Sequence, residues 1–207
     1  MFRRRHFFVS LFAVSTVAAL SAGCAEDEKA IPRVVFDSTI VPGKHSSAEC
    51  SETGTWFKVG EFGNPALGRE DPNNPESPLK DPPKPVESGT ADPETANNVS
   101  ITCNVIPSGA EFDVSATVEL AGLKGGYFQV IGKFKPENVD QPNINVVLSR
   151  GGTNYKQANC TARYVLPSQT VAAGRVWAEV TCEDMESNGT QKICKGTATF
   201  RLENCAQ

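Results

Sequence analysis

Apolar and polar residues alternate along two neighbouring stretches in the middle of the chain. From Val99 to Val105 every second residue is apolar, and the same period of two recurs from Phe112 to Leu120. A period of two places alternate side chains on opposite faces of a β-strand, and one of these faces is then apolar. Pro107-Ser108-Gly109 lies between the two stretches and can form a turn, so the pattern predicts a β-hairpin.

Similar stretches follow towards the C terminus, separated by turns rich in Gly, Pro or Asn. They read YFQVIGKF, INVVLS, KQANCTARYVL, GRVWAEVTC and GTATFRLENC, and the aromatic-rich GTWFKVGEF precedes the hairpin. No stretch keeps a period of 3.6 residues over the length of a helix. Seven or eight short strands predict an all-β fold, an antiparallel β-sandwich, with a β-barrel as the alternative.

The alternation also predicts which side chains fill the core. The inward positions of the strands carry large apolar residues that a two-layer fold can bury, while threonines, glutamates and lysines stay in water. These core candidates are Phe112, Val114, Val118, Val130, Val146, Leu148, Tyr164, Val176, Val180, Phe200 and Leu202.

Two regions lack this alternation. Residues 24–48 are mostly polar, so we expect a flexible spacer there, ahead of a β domain at 49–207. Residues 64–98 contain eight prolines between Pro65 and Pro93, surrounded by Asp, Glu, Asn and Ser. Such a segment buries little apolar surface and has few backbone donors, which predicts a surface loop or linker.

The N-terminal residues have the order of a secretory leader. Three arginines, Arg3 to Arg5, precede an apolar run of 16 residues from Phe7 to Ala22. This run is shorter than the roughly 20 residues that a membrane-spanning helix needs. Ser21-Ala22-Gly23-Cys24 follows and resembles the lipobox of bacterial lipoproteins, with Ser21 at the place where leucine is usual.

The resemblance implies that residues 1–23 are a lipoprotein signal peptide and that Cys24 is acylated as the first mature residue. Several acyl chains hold a protein on a membrane, whereas one chain binds only reversibly. Ala25 after the cysteine implies transport to the outer membrane under the family's sorting rule. The expected location is therefore the bacterial cell envelope, lipid-anchored, with secretion as the alternative.

Seven cysteines become six once Cys24 is assigned to the lipid. An even number in an exported chain predicts three disulfides among Cys50, Cys103, Cys160, Cys182, Cys194 and Cys205. Cys182 and Cys194 flank the turn signal Asn188-Gly189, which favours a bond between these two strand ends. Chain order and elimination then leave Cys50 with Cys103 and Cys160 with Cys205.

Charge and composition exclude several function classes. The leader holds three of the 20 basic residues and none of the 24 acidic ones, so the mature chain has a formal charge of 17 − 24 = −7. Phosphate binding needs a basic face, so nucleic acid is not an expected partner. No Cys-x-x-Cys motif occurs, and the mature chain has one histidine, His45, so no metal site and no cofactor are expected.

The residues also favour a protein that is not an enzyme. His45 lies in the predicted spacer, where the fixed geometry of a catalytic triad is not expected. Asp113, Glu119, Glu179 and Glu203 occupy outward strand positions, and nothing selects two of them as the carboxylate pair of a glycosidase. A hydrolase is therefore the least favoured function class.

The remaining candidates for binding are aromatic residues that the alternation does not assign to the core. Trp56, Tyr127, Tyr155 and Trp177 could stack on a sugar ring or contact a protein partner. They could equally cover the second face of the sheet beneath the proline-rich segment. The sequence thus predicts a non-catalytic binding or structural domain at a membrane surface, with an envelope protein or a glycan as ligand. The alternative is a carbohydrate-binding module or adhesin.

Overall fold

A computed structural model of the chain describes residues 30–45, 50, 56–122, 125–188 and 192–207. It contains eleven strands and one short 3₁₀ turn at Pro65–Leu67. The strands are β1 Arg33–Val41, β2 Phe57–Val59, β3 Val86–Glu87, β4 Val99–Ser108, β5 Glu111–Leu120, β6 Gly126–Phe134, β7 Gln141–Arg150, β8 Thr153–Arg163, β9 Thr170–Ala172, β10 Arg175–Ser187 and β11 Ile193–Glu203.

All eleven strands belong to one curled, antiparallel sheet. Nine of them follow the order β2-β1-β11-β10-β8-β7-β6-β5-β4, while β3 pairs with β1 and β9 pairs with β10. The predicted all-β antiparallel fold is therefore confirmed. The short strands β2, β3 and β9 raise the strand number above the predicted seven or eight, and the single sheet is intermediate between a sandwich and a half-barrel.

The C-terminal tail that follows β11 contacts β4, the last strand in this order. Ala206 accepts a hydrogen bond from the Val105 amide at 2.9 Å and donates one to the Cys103 carbonyl at 2.9 Å. Val105 and Cys103 both belong to β4. The tail thus extends the line of β11 and joins it to β4 within the curled sheet.

The predicted spacer at 24–48 is wrong where β1 lies. Residues 33–41 form a nine-residue strand that pairs along its full length with β11. Val34, Val35 and Phe36 are consecutive and completely buried, so both faces of this strand are covered and its apolar residues do not alternate. The β domain therefore begins at Arg33, well before the predicted residue 49. Residues 24–29 and 46–49 lie outside the described part.

The core positions predicted from the alternation are confirmed. Ten of the eleven are buried, and Phe112 is partly buried against the same cluster. Phe36, Phe128 and Phe200 lie at the centre, with ring centroids 4.4 Å apart for the first two and 5.4 Å for the last two. Burying a phenylalanine contributes about 1.5–3 kcal/mol, so these rings account for much of the stability of the core.

The six predicted cysteines form three disulfides, as expected, but with other partners. The bonds join Cys50 to Cys194, Cys103 to Cys205 and Cys160 to Cys182. All three predicted pairings, Cys182 with Cys194, Cys50 with Cys103 and Cys160 with Cys205, are therefore wrong.

The reason is the register between β10 and β11. Gly196 lies opposite Cys182, and Met185 lies opposite Cys194, so the two cysteines that flank the hairpin are not partners across it. On its other side β10 pairs with β8, and this brings Cys160 within 4.4 Å of Cys182, measured between Cα atoms.

The proline-rich segment is an ordered excursion over the outside of the sheet. Most of its residues are exposed, as predicted, but Asp92 is only 2% exposed. Its carboxylate accepts hydrogen bonds from the amides of Gly60, Glu94 and Thr95 and from the Thr95 hydroxyl, at 3.0–3.1 Å. One buried carboxylate thus fixes the end of β2 to the end of the excursion.

Removing single disulfides should reveal how much each one constrains the unfolded chain. A cross-link that closes a longer loop removes more conformational entropy from that state. We expect Cys103→Ala with Cys205→Ala, whose separation is 102 residues, to lower the free energy of unfolding by about 5 kcal/mol. Cys160→Ala with Cys182→Ala, whose separation is 22 residues, should cost about 3 kcal/mol. Urea unfolding measures both, and equal losses would contradict the assignment.

Candidate binding groove

A groove of about 620 Å³ crosses the ends of β4, β5, β6 and β7 on the outside of the sheet. Its walls consist mainly of small and polar residues, and Val99 and Leu120 also line it. They include Ser88, Gly89, Asn98, Ser100, Glu119, Gly122, Gly125, Gly126, Tyr127, Ser149, Gly151 and Gly152. Pockets of 300–1,000 Å³ are typical of small-molecule sites.

The strand register places four polar side chains of this groove in one row. Ser100 lies opposite Glu119, Glu119 opposite Tyr127, and Tyr127 opposite Ser149. The sequence neighbours of these residues, such as Leu120 and Phe128, are buried. Because successive side chains alternate between faces, the row points away from the core. Paired residues on one face lie side by side, so the four groups can contact one ligand together.

The glycines at the groove have two different roles. A Cβ atom on Gly126 would lie 2.5 Å from the ring of the buried Phe57, so this glycine makes room for the ring on the core side of β6. Gly151 and Gly152 form the two-residue turn between β7 and β8, and both have positive φ, at 55° and 83°. Hairpin turns of this kind favour glycine at both positions. A ligand could therefore approach the backbone closely at this turn.

Beyond this row, the outer face of β4–β7 remains mostly uncharged. Two further rows follow from the same strand pairing, and their side chains are mainly hydroxyls and amides. They are Thr102, Thr117, Gln129 and Val147, then Asn104, Ser115, Ile131 and Asn145. The groove thus opens onto a flat face that presents hydrogen-bonding groups without a strong charge.

The predicted binding aromatics are not brought together. Trp56 and Tyr155 are 3% and 7% exposed and pack edge to face, with centroids 5.7 Å apart, so their prediction as exposed binding residues is wrong. The aromatic count alone gives no information about which loop covers a ring. Tyr127 is half-buried and lines the groove, so it is the one of the four that could contact a ligand there.

Trp177 packs beneath the proline-rich segment, which was the structural alternative predicted for these aromatics. It lies on the outer face of β10, half-buried, and stacks on Phe62 at the start of the proline-rich excursion with centroids 6.3 Å apart. The Arg201 guanidinium lies 5.2 Å from the centre of the indole ring. The excursion therefore covers Trp177.

An ion-pair cluster lies beside Trp177. Glu203 accepts hydrogen bonds from Arg33 at 2.7 Å and from Arg201 at 2.6 and 2.9 Å. Burial by itself would raise the pKa of the Glu203 carboxyl, but the hydrogen bonds and charges of the two arginines outweigh it and hold this pKa below its ordinary value. The carboxylate is engaged in structure, which leaves it unsuited to acid catalysis.

The other acidic candidates are separated from one another. Asp113 pairs with Lys133 at 2.8 Å on the exposed surface, and Glu179 lies on β10. Among the described residues that line the groove, Glu119 is the one carboxylate. A glycosidase needs two carboxyl groups across its substrate, and these residues do not supply a second one there.

His45 is exposed, as expected, and follows β1 at a turn. Its Nδ1 lies 2.9 Å from the Asp184 carboxylate, and 62% of its side chain is accessible to solvent. The preceding strand fixes the backbone near His45, although the sequence predicted a mobile spacer there. In the described ranges, no three His, Cys, Asp or Glu side chains cluster in a way that could hold a metal ion. Cys24, the predicted lipid site, lies outside these ranges.

Comparison of the chain with protein-family models, curated proteins and solved structures finds no match. Within the described residues, no helix has the length and apolar character needed to cross a membrane. The sequence pointed to the groove only indirectly, through the Gly125-Gly126 and Gly151-Gly152 pairs and the polar positions of the alternating strands. The register that aligns Glu119 with Tyr127 was not readable from it.

Replacing Glu203 by glutamine should destabilise the fold at neutral pH. A carboxyl whose pKa is lower in the folded state stabilises that state above its unfolded pKa, and this contribution disappears as the pH falls through the folded pKa. We expect Glu203→Gln to cost roughly 1 to 2 kcal/mol at pH 7, because charged hydrogen bonds are lost. The difference from the wild type should shrink in acid.

Urea unfolding between pH 3 and 7 measures this effect. Asp113→Asn is the matched control, because it removes a carboxylate whose pKa is also lowered by a lysine but which lies on the exposed surface. Exposed ion pairs contribute little, so the control should change stability much less. A Glu203→Gln cost that did not vary with pH would contradict the assignment.

Proposed function

We propose that this chain is a lipid-anchored protein of the bacterial envelope whose β domain binds a ligand without catalysing a reaction. One observation carries the proposal. Six of the seven cysteines are bonded to one another in pairs, and the cysteine left over is Cys24, which follows the leader and the lipobox-like residues. A single unbonded cysteine at the cleavage position of a leader is what lipid attachment requires.

The disulfides support the compartment independently of the leader. Bonds of this kind form and persist in oxidising environments and are rare in the cytosol. A folded domain with three of them belongs on the far side of the inner membrane. Several acyl chains on Cys24 would then hold it firmly there, and Ala25 favours the outer membrane by resemblance to other lipoproteins.

The ligand that fits the groove best is a neutral glycan. Tyr127 offers an aromatic face for a sugar ring, and Ser100, Ser149 and Glu119 offer acceptors and hydroxyls for its polar edge. The adjoining rows of hydroxyl and amide side chains continue this character along β4–β7. A charged ligand would gain less, because the lining residues in the described ranges include one charge.

The anchor is tested by mass spectrometry of the intact protein from its native host. We expect a mature chain that starts at Cys24, carries acyl groups and lacks six hydrogens because of three disulfides. Cys24→Ser should abolish acylation and release the protein from membranes, while the folded domain stays intact. A mature N terminus at another residue, without lipid, would overturn the proposed location.

The ligand is tested by calorimetry with neutral oligosaccharides such as chitohexaose and cellohexaose. Tyr127→Ala should weaken the binding of the best of them by about tenfold, the equivalent of roughly 1.4 kcal/mol, since the stacking surface is lost. Tyr127→Phe keeps the ring and should bind nearly as well. Asp113→Asn, at the far end of the same face, is the control. Unchanged affinity in Tyr127→Ala, or no binding by the wild type, would reject the glycan.

A further inference from the structure

Several large aliphatic side chains are exposed at one end of the sheet. Val139 is 48% exposed between β6 and β7, and Val165 and Leu166 are 55% and 42% exposed after β8. Ile31, immediately before β1, is 51% exposed. Single exposed apolar residues need no explanation, but a group on one end of a domain suggests a contact surface.

Strand order brings the two loops that carry the first three residues together. The start of β7 pairs with the end of β8, where Gln141 lies opposite Ala162. The Tyr164 hydroxyl donates a hydrogen bond to the Lys135 carbonyl at 2.6 Å, which ties one loop to the other. Val139, Val165 and Leu166 therefore lie in adjacent loops at one end of the sheet, which we call the aliphatic end.

The chain enters the sheet at this same end. All neighbouring strands in the order are antiparallel, so β1 begins where β6 and β8 end. Nine residue steps separate Arg33 from Cys24, and a chain of that length spans at most about 30 Å. A lipid on Cys24 would therefore keep the first residue of β1 within that distance of the bilayer.

We propose that the aliphatic end rests on the surface of the bilayer that holds Cys24. This inference depends on the proposed lipid anchor. The short connection keeps the membrane at high effective concentration, so weak contacts by three or four aliphatic side chains are enough to orient the domain. Half-exposed valine and leucine side chains gain by leaving water for the interfacial region.

Charges around the aliphatic end favour no particular lipid head group. Lys135 lies 3.5 Å from the Glu111 carboxylate, and Arg163 lies 3.9 Å from the Asp140 carboxylate. Both of these basic groups have an acidic neighbour, and Glu137 lies in the same loop as Val139, so these residues bring no excess positive charge to attract anionic lipids. The contact should therefore form on zwitterionic lipid and change little with salt.

Tryptophan fluorescence tests the contact in the full acylated protein. Val165→Trp places a reporter on the aliphatic end, where the native residue is 55% exposed, and Leu67→Trp places one at a site of similar exposure, 54%, in the proline-rich excursion. Both variants are reconstituted into phosphatidylcholine nanodiscs with and without brominated acyl chains. We expect the brominated lipid to quench the added emission of Val165→Trp strongly and that of Leu67→Trp little, at low and high salt alike.

A second reporter, Val139→Trp, should be quenched by brominated lipid as Val165→Trp is. Replacing Val165 and Leu166 by serine in the Val139→Trp protein should remove this quenching. Equal quenching of Val165→Trp and Leu67→Trp, or no quenching of either, would overturn the contact. A blue shift of Val165→Trp that grows with protein concentration would assign the surface to a second copy of the chain instead. A wild-type chain that fails to float with lipid would contradict the anchor itself, so the two failures are distinguishable.

Discussion

The ladder between β1 and β11 is the contact on which the rest of the structure depends. It joins nine residues near the start of the domain to the last strand, with Arg33 opposite Glu203 and Val41 opposite Lys195. The entropy lost in closing so long a loop is regained only when both strands are in place. Two disulfides lie at its two ends, Cys50–Cys194 beside one and Cys103–Cys205 beside the other. The covalent bonds therefore secure the contact with the highest cost in chain entropy.

The same ladder organises the outside of the sheet. Strands β2 and β3 pair with β1, so the proline-rich excursion begins and ends against a strand that β11 holds in place. The excursion covers Trp177 and leaves most of the outer face of β4–β7 uncovered. The surface available to a ligand is consequently the part of the sheet that lies farthest along the strand order from β1.

The sequence was sufficient to assign core residues wherever one face of a strand is buried and the other meets solvent. In β4 and β5 this condition holds, and Val114 and Val118 could be assigned to the core from alternation alone. This condition does not hold for β1. Val34, Val35 and Phe36 are all buried, so apolar and polar residues do not alternate along that strand. Strand pairing decides such cases, and pairing across more than 150 residues leaves no local signal.

The disulfide partners and the groove could not be predicted from the sequence for a related reason. Proximity along the chain favoured Cys182 with Cys194, whereas the register places Gly196 opposite Cys182 and the bond is made to Cys160 on β8. Such a register cannot be seen in a pattern of residue types. The row of Glu119 and Tyr127 depends in the same way on how β5 and β6 align, although Glu119 was expected to face outwards and Tyr127 was not assigned to the core.

The order of the disulfide partners has a consequence for biosynthesis. Among the six bonded cysteines, Cys50 and Cys103 are made first, whereas their partners, Cys194 and Cys205, are made last. Oxidation in the order of appearance would join Cys50 to Cys103, a bond that the folded domain does not contain. Thiolate attack can rearrange such a bond through a mixed disulfide. A chain oxidised in that order would therefore need an isomerase as well as an oxidant to reach its folded pairing.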